Sequence, residues 1–217
     1  MRKNIYVLFY FFLGVLLFWS FKVEAIMPLT GRIIVVDAGH GAEDPGTSFK
    51  NIYEKDINLK ISLKLEQVLS SMGAEVILTR DGDYDLSTPN ANFRKKSDFD
   101  NRIKIINNSN ADLYLSIHLN YLNDYSYSGP QVFYNKDNKI LAEFIQISMN
   151  EYTKGDRAIK KIPSNTYMYN KLQIPGVLIE CGFLSNSKER NLLVDDKYQL
   201  KLAASISEGV VEYFSSL

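Results

Sequence analysis

Short runs of β-branched and other apolar residues alternate with segments of helical periodicity from residue 32 to the end of the chain. Apolar residues spaced three or four apart predict helices, whereas short apolar runs bounded by turn residues predict strands. Strands are predicted at 33–37, 75–79, 113–119, 131–134 and 177–181, helices at 54–72, 102–108, 139–152 and 198–214, and a long polar loop at 81–97. This alternation predicts one α/β domain whose twisted, mostly parallel sheet is flanked by helices on both faces.

The N-terminal residues have a different pattern. Arg2 and Lys3 precede an almost uninterrupted apolar segment, 5–21, and the tripeptide VEA that follows it fits a small-x-small cleavage site. The segment is slightly shorter than the roughly 20 residues of a comfortable membrane span. We therefore expect residues 1–27 to be a signal peptide or an uncleaved membrane anchor, and residues 28–217 to be the exported domain.

Composition narrows the class of protein. The chain has 25 basic and 25 acidic residues, so its formal net charge is zero and no global basic field indicates a nucleic acid as partner. Its 46% hydrophobic and 23% charged residues are typical of a globular domain. The single cysteine, Cys181, cannot form an intramolecular disulfide, so the fold depends on its core.

The chain has only two histidines, and both stand near the ends of predicted strands. His40 follows the strand at 33–37, His118 lies near the end of the strand at 113–119, and Glu180 lies in the same way near the end of a third strand. Substrates and cofactors bind at the carboxyl ends of strands in open α/β sheets. Two imidazoles and a carboxylate are a common set of side chains that bind catalytic Zn²⁺. Glu54 is a candidate third ligand, although an acid at a helix start is also favoured by the helix dipole alone.

Four segments, in order, resemble the motifs of the zinc-dependent N-acetylmuramoyl-L-alanine amidases of the amidase-3 family: VVDAGHG, YEKDINL, SIHLN and IECGFLSN. The segments SGPQVFYN, LAEFIQ and YQLKLAASISEG are further similar to the spore-cortex, CwlD-type subgroup of that family. The resemblance covers about residues 32–214. It implies that His40, Glu54 and His118 bind one zinc ion per chain and that Glu180 is the catalytic carboxylate.

The resemblance also implies a reaction and its setting. The substrate is peptidoglycan, and the bond cleaved is the amide between N-acetylmuramic acid and the L-alanine of the stem peptide. The subgroup implies a role in spore cortex maturation, through formation of muramic δ-lactam, in the intermembrane space of the forespore. Expected partners are an accessory lipoprotein or a second copy in a homodimer, and the membrane if the N-terminal segment is uncleaved, but no nucleic acid.

Further residues are expected around this site. Four could support the metal ligands or contact substrate: Asp37, Asp56, Asn120 and Arg102. Arg80, Arg94 and Arg102 are expected mainly in surface salt bridges, with a bidentate contact to a substrate carboxylate as the alternative. We expect Glu43 and Asp44 to face solvent. The glycines beside His40 indicate either a close backbone approach with positive φ or an ordinary tight turn.

Two other functions remain open from the sequence. Cys181 could be the nucleophile of a metal-independent cysteine amidohydrolase with His118 as its base. Because neighbours in a strand point to opposite faces, Glu180 and Cys181 cannot easily enter one site. Alternatively, the domain could bind peptidoglycan or a partner without turnover.

Overall fold

A computed structural model describes residues 27–136 and 138–217 of the chain. The hydrophobic segment predicted at 5–21 lies outside the described residues, and its role as signal or anchor stays a prediction. Within the described ranges, no helix is both long enough and apolar enough to cross a membrane.

The described chain folds around a six-stranded sheet. Its strands are β1 (Ile33–Ala38), β4 (Glu75–Leu78), β5 (Leu113–Asn120), β6 (Gln131–Tyr134), β7 (Lys160–Lys161) and β8 (Gly176–Phe183), and β2 (Ser48–Phe49) pairs with β3 (Ile52–Tyr53) in a separate hairpin. The helices are α1 (Glu54–Ser71), α2 (Arg94–Asn107), α3 (Lys139–Thr153), α4 (Tyr167–Lys171), α5 (Ser187–Leu193) and α6 (Asp196–Ser215). The strand order is β4-β1-β5-β8-β6-β7. β4, β1, β5 and β8 run parallel, and β6 is antiparallel to β8.

Helices cover both faces of the sheet, as the sequence predicts. α1, α3 and α6 pack on one face around a large apolar core that includes Ile34, Ile61, Leu115 and Ile179. α2 and α4 cover the opposite face around a smaller core that includes Val35. The predicted single α/β domain with a mostly parallel sheet is therefore confirmed.

The start of α2 differs from the prediction. The helix begins at Arg94 rather than at residue 102, so the predicted loop at 81–97 ends earlier. Its buried positions are Asp98, Arg102 and Ile106, spaced four residues apart, and only one of them is apolar. A helix that buries a polar stripe gives little hydrophobic periodicity, which explains the wrong boundary.

Candidate active site

His40 lies in a tight loop that leaves the end of β1. Its φ is +63°, an uncommon conformation for a residue with a side chain, and Gly41 and Ala42 also have positive φ. Two arginines hold the carbonyl oxygens of this loop. Arg80 donates to Ala38 O and Gly39 O, both at 2.9 Å, and Arg102 donates to Ala38 O and His40 O, both at 2.7 Å.

Neither of these arginines is on the surface. Arg80 is 1% exposed and Arg102 is 2% exposed, so the expected surface salt bridges are wrong for both. Arg102 also pairs with Asp37 at 2.6 Å and with Asp98 at 2.8 Å, which compensates its buried charge. The guanidinium of Arg102 is thus engaged in holding the His40 loop. Arg94 does form the expected partly exposed ion pairs, with Glu43 and Asp85.

Glu54 is the first residue of α1 and is 2% exposed. Its Oε2 accepts hydrogen bonds from Thr47 N at 2.8 Å and Thr47 Oγ1 at 3.0 Å. Its Oε1 accepts from Leu119 N at 3.0 Å and Asn58 Nδ2 at 3.3 Å. A helix-dipole role would leave this carboxylate near solvent, whereas these bonds direct it towards the strand ends.

His40, Glu54 and His118 converge at the carboxyl ends of β1 and β5. Glu54 Oε1 lies 3.2 Å from His40 Nε2 and 3.1 Å from His118 Nδ1. One donor atom from each residue lies within 4.8 Å of the others, a spacing that allows them to hold a metal ion.

Two glycines leave room for this cluster. A Cβ on Gly39 would lie 2.3 Å from the His118 ring, and one on Gly46 would lie 2.6 Å from Glu54 Oε2 and 2.7 Å from the His40 ring. Gly46 also has φ +66°. Close approach and positive φ, rather than an ordinary turn, explain glycine in this loop.

Asp44 does not face bulk solvent as expected. Its Oδ2 lies 2.9 Å from His40 Nδ1, and its side chain is 34% exposed. The loop folds back through paired backbone hydrogen bonds between Gly41 and Asp44, which brings the carboxylate to the ring. Asp44 therefore fixes the orientation of His40 and leaves Nε2 facing Glu54. Glu43 is exposed as predicted.

The carboxylates around His40 determine its protonation when no metal is bound. Burial lowers the pKa of His40, but hydrogen bonds with Asp44 and Glu54 outweigh burial and raise this pKa to about 9. Burial works against ionisation of Glu54 as well, yet its hydrogen bonds with His118 and His40 lower the pKa of Glu54 well below its usual range. A cation is therefore favoured at this position, whether it is a proton or a metal ion.

Glu180 lies beside His118 in the sheet. The two residues are direct partners in the parallel pairing of β5 and β8, so their side chains point to the same face. Both line a cavity of about 250 Å³ that also contacts Asp37, His40 and Tyr169. Burial and repulsion by Glu54 raise the pKa of Glu180 to about 8, against the opposing effect of His40.

One oxygen of Glu180 is unsatisfied. Oε2 is buried and has no hydrogen-bond partner in the described part of the chain. A buried carboxylate oxygen left unpaired is costly unless a ligand, water or ion completes it. The residues fit a metal ion because two imidazole nitrogens and one carboxylate oxygen face each other, one imidazole is oriented by Asp44, and a free carboxylate lies beside them.

Cys181 points away from this cavity. It is completely buried in the large apolar core on the other face of the sheet. Burial, with smaller effects of Glu180 and Glu189, raises the pKa of the Cys181 thiol far above its usual range. A thiol that stays protonated and faces away from His118 is poorly suited to be a nucleophile.

The other residues predicted around the site lie in different settings. Asp37 is buried between Arg102, Thr79 and Ser116, behind the His40 loop rather than on a ligand ring. Asp56 is exposed in the first turn of α1. Asn120 ends β5, where its backbone carbonyl accepts a hydrogen bond from Leu184 N.

Sequence reasoning missed two residues that position Glu54. Thr47 donates two hydrogen bonds to it from the loop, and buried Asn58 donates one from the same helix. Asn58 stands four residues after Glu54 on one face of α1, and this spacing could have indicated the contact. Thr47 carried no such signal, because its position depends on the fold of the loop.

Comparison with known proteins identifies the family of the chain. Residues 34–212 match the amidase-3 family, described as N-acetylmuramoyl-L-alanine amidase. The germination-specific N-acetylmuramoyl-L-alanine amidase of Bacillus subtilis (strain 168) is 39% identical over 195 residues, which cover 87% of this chain and 82% of that protein.

Solved structures give the same result. The CwlD amidase from Clostridioides difficile, solved in complex with the GerS lipoprotein, superposes with a TM-score of 0.81 and 42% identity over 86% of this chain and 100% of that one. The catalytic domain of the amidase CwlV from Bacillus (Paenibacillus) polymyxa var. colistinus gives a TM-score of 0.74 and 31% identity over 85% of this chain and 98% of that one. With its His-Glu-His cluster at the strand ends, this chain belongs to the amidase-3 family of N-acetylmuramoyl-L-alanine amidases.

Proposed function

We propose that this chain is a zinc-dependent amidase that hydrolyses the bond between N-acetylmuramic acid and the L-alanine of peptidoglycan stem peptides. The observation that carries the proposal is the unpaired, buried Oε2 of Glu180 in the same cavity as the His40, Glu54 and His118 cluster. Family membership gives the substrate class, and the donor set favours zinc.

His40, Glu54 and His118 would hold the ion through Nε2, a carboxylate oxygen and Nδ1. When bound, zinc supplies positive charge that acidifies a water molecule and polarises the scissile carbonyl. Asp44 keeps His40 in the required orientation, and Thr47 and Asn58 keep Glu54 directed into the cluster.

Glu180 is the general base and then the general acid. Its carboxylate takes a proton from the attacking water while the water oxygen bonds to the lactyl carbonyl carbon. As the carbon–nitrogen bond breaks, the protonated Glu180 gives that proton to the nitrogen of the departing alanine. Its raised pKa suits this double role, because the carboxyl group can both take up and release a proton near neutral pH.

The proposal is tested on purified peptidoglycan, with mass spectrometry of newly freed L-alanine amino termini. Glu180→Gln keeps the size of the side chain but removes the base, so we expect release to fall about a thousandfold. Zinc content, measured on the same samples, should remain near one ion per chain.

Cys181→Ala is the matched control, one residue along the same strand but on its other face. We expect it to retain activity, and we expect a chelator to abolish the activity of both the wild type and this variant. Chelator-resistant release that is lost in Cys181→Ala would instead establish a cysteine amidohydrolase. Binding of peptidoglycan with no release by wild-type, zinc-loaded protein, alone and with an accessory lipoprotein, would establish a binding module.

We further propose that the chain acts outside the cytoplasm in spore cortex maturation, with an accessory lipoprotein. Support comes from its similarity to a germination-specific amidase and to CwlD, which was solved with a lipoprotein. Zinc content and activity should be measured for the chain alone and with the candidate lipoprotein encoded by the same organism. Full zinc occupancy and activity of the chain alone would exclude an obligatory partner.

A further inference from the structure

A chain of three hydrogen-bonded side chains lies beneath the cavity that Glu180 lines. Ser116 Oγ lies 2.7 Å from Asp37 Oδ2, and Tyr169 Oη lies 3.1 Å from Ser116 Oγ. All three residues are buried. They connect β1 and β5 to α4, which covers the site face of the sheet.

The direction of these hydrogen bonds follows from the groups present. Asp37 pairs with Arg102 at 2.6 Å and accepts from Thr79 Oγ1 at 2.8 Å, so it is a carboxylate that only accepts. Ser116 must therefore give its single proton to Asp37. Tyr169 must in turn donate its proton to Ser116, which leaves the lone pairs of the Tyr169 oxygen as acceptors for any further partner.

This fixed acceptor belongs to the catalytic cavity. Tyr169 and Glu180 line the same space, and Phe99, Met168 and Leu178 supply apolar walls. Ser116 stands two residues before His118 on the same face of β5, about 7 Å along the strand. The Tyr169 hydroxyl lies 3.1 Å from Ser116 Oγ, so it is near the row formed by His118 and Glu180. Burial and the charge of Asp37 raise the pKa of Tyr169 well above its usual value, which keeps the hydroxyl protonated at the pH of catalysis.

When Glu180 is ionised, its Oε2 and Tyr169 Oη are two hydrogen-bond acceptors in this cavity, which is lined by charged residues as well as by apolar side chains. A substrate N–H placed between the two oxygens would pair with both, and an acceptor that a bound substrate buries without a partner is costly. We propose that Tyr169 is a substrate-positioning residue whose oxygen accepts a hydrogen bond from the nitrogen of the scissile amide. This inference rests on the proposed amidase function.

The same hydrogen bond remains useful after cleavage. Glu180 delivers the proton to the alanine nitrogen as the carbon–nitrogen bond breaks, and the new amine has more N–H groups than the amide had. Tyr169 takes no part in this proton transfer. It holds the nitrogen at the distance where Glu180 reaches it, and it disfavours esters and N-substituted amides, which have no N–H at this atom.

The test compares wild type and Tyr169→Phe on three muramoyl peptides, with zinc content and thermal unfolding recorded for each protein. One peptide is unmodified, one carries N-methyl-L-alanine at the scissile bond, and one is methylated at the next amide nitrogen. For the unmodified peptide we expect Tyr169→Phe to lower kcat/KM about tenfold. Methylation at the scissile nitrogen should lower kcat/KM of the wild type by a factor about ten times larger than for the variant. Methylation at the next amide nitrogen should lower kcat/KM of both proteins by the same factor.

Calorimetry of the product gives a readout without turnover. The peptide L-alanyl-D-isoglutamine should bind about tenfold more weakly to Tyr169→Phe than to wild type. If Tyr169→Phe does not fold, Ser116→Ala serves instead, because it keeps the tyrosine but frees its proton to turn into the cavity. We expect this variant to lose part of the discrimination against the scissile N-methyl peptide.

The two proposals fail in different ways. Equal discrimination by wild type and Tyr169→Phe, with normal hydrolysis, overturns the role of Tyr169 and leaves the amidase function intact. A zinc-loaded wild type that hydrolyses none of the peptides, alone and with the candidate lipoprotein, overturns the amidase function, and the calorimetry then still decides whether Tyr169 recognises an amine.

Discussion

The two faces of the central sheet differ in composition although the same strands form both. Along β5, Leu115 and Ile117 point into the large apolar core, whereas Ser116 and His118 point to the opposite face. β8 repeats the pattern with Ile179 on one side and Glu180 on the other. One face therefore stabilises the fold by burying apolar surface, and the other holds buried charges that position the site.

This difference in composition predicts that mutations on the two faces have different effects. Apolar contacts are non-directional, so a lost methyl group on the large core weakens the fold without moving a ligand. The site face depends on directed bonds between buried charges, in which loss of one partner leaves the other unpaired. Mutations on the two faces should therefore differ in kind as well as in size.

The largest effect should come from Arg102→Met on the site face. This change leaves Asp37 and Asp98 buried without their counterion and releases the carbonyl of His40, so we expect the free energy of unfolding to fall by about 3–5 kcal/mol. Urea titration measures it. Arg94→Met, at partly exposed ion pairs on the same helix, is the control and should change stability by less than about 1 kcal/mol. Similar losses of stability in both variants would contradict a special role for the buried charges around Arg102.

A smaller loss, and one confined to stability, should follow Ile61→Ala on the apolar face. Ile61 is completely buried in α1, and truncation in a packed core costs about 2–4 kcal/mol. Zinc affinity, measured by competition with a chromophoric chelator below the unfolding transition, should match that of wild type. A drop in affinity that parallels the loss of stability would show that the two faces are coupled.

Stability of the metal-free protein should depend on pH through Glu180. Burial and Glu54 raise its pKa from 4.5 to about 8. Ionisation of Glu180 above pH 4.5 therefore costs free energy in the folded protein but not in the unfolded chain, and so lowers the free energy of unfolding. The penalty is absent below about pH 4, grows as the pH rises towards 8, and is complete above that value. Metal-free Glu180→Gln should therefore be more stable than wild type at pH 9, by at most about 5 kcal/mol for the full change in pKa from 4.5 to about 8, and equally stable at pH 4.

Thermal unfolding across this pH range measures the effect. Glu212→Gln, at an exposed position of α6, is the control and should not alter the pH dependence. A constant difference between Glu180→Gln and wild type from pH 4 to pH 9 would show that Glu180 does not ionise in this window.

The smallest effect should come from Asp44→Asn, which keeps the shape of the side chain beside His40 but removes its charge. Weakened orientation of the ring should lower zinc affinity about tenfold, with little change in the unfolding of the metal-free protein. Glu43→Gln, one residue earlier and exposed, should leave the affinity unchanged. Equal affinities of the two variants would show that His40 needs no support from Asp44.

Hydrophobic patterning was sufficient to predict the apolar face and the strand ends. The runs at 33–37, 113–119 and 177–181 predict strands, and parallel pairing brings His40, His118 and Glu180 to one edge. The structure places Glu54 beside the two histidines, while the chemical roles of all four residues remain a proposal.

The supporting residues could not be predicted in the same way. Arg80 and Arg102 resemble surface residues in sequence, because only tertiary contacts distinguish a buried arginine from an exposed one. Asp44 turns back to His40 through a loop with positive φ, for which local propensity gives no signal. Tyr169 belongs to a short helix far along the chain, and only the covering of the site face by α4 brings it to Ser116.

The close approach of neighbouring side chains to Gly39 and Gly46 has a consequence for how this loop can vary. Both positions are chemically inert, yet any side chain there would occupy the space of a ligand ring or carboxylate. In a saturation library selected for zinc binding, these two glycines should tolerate as few substitutions as the ligands themselves. Position 43, where Glu43 is exposed in the same loop, should tolerate most substitutions. Intolerance to substitution would therefore mark every position close to the ion, and not only the residues that bind it.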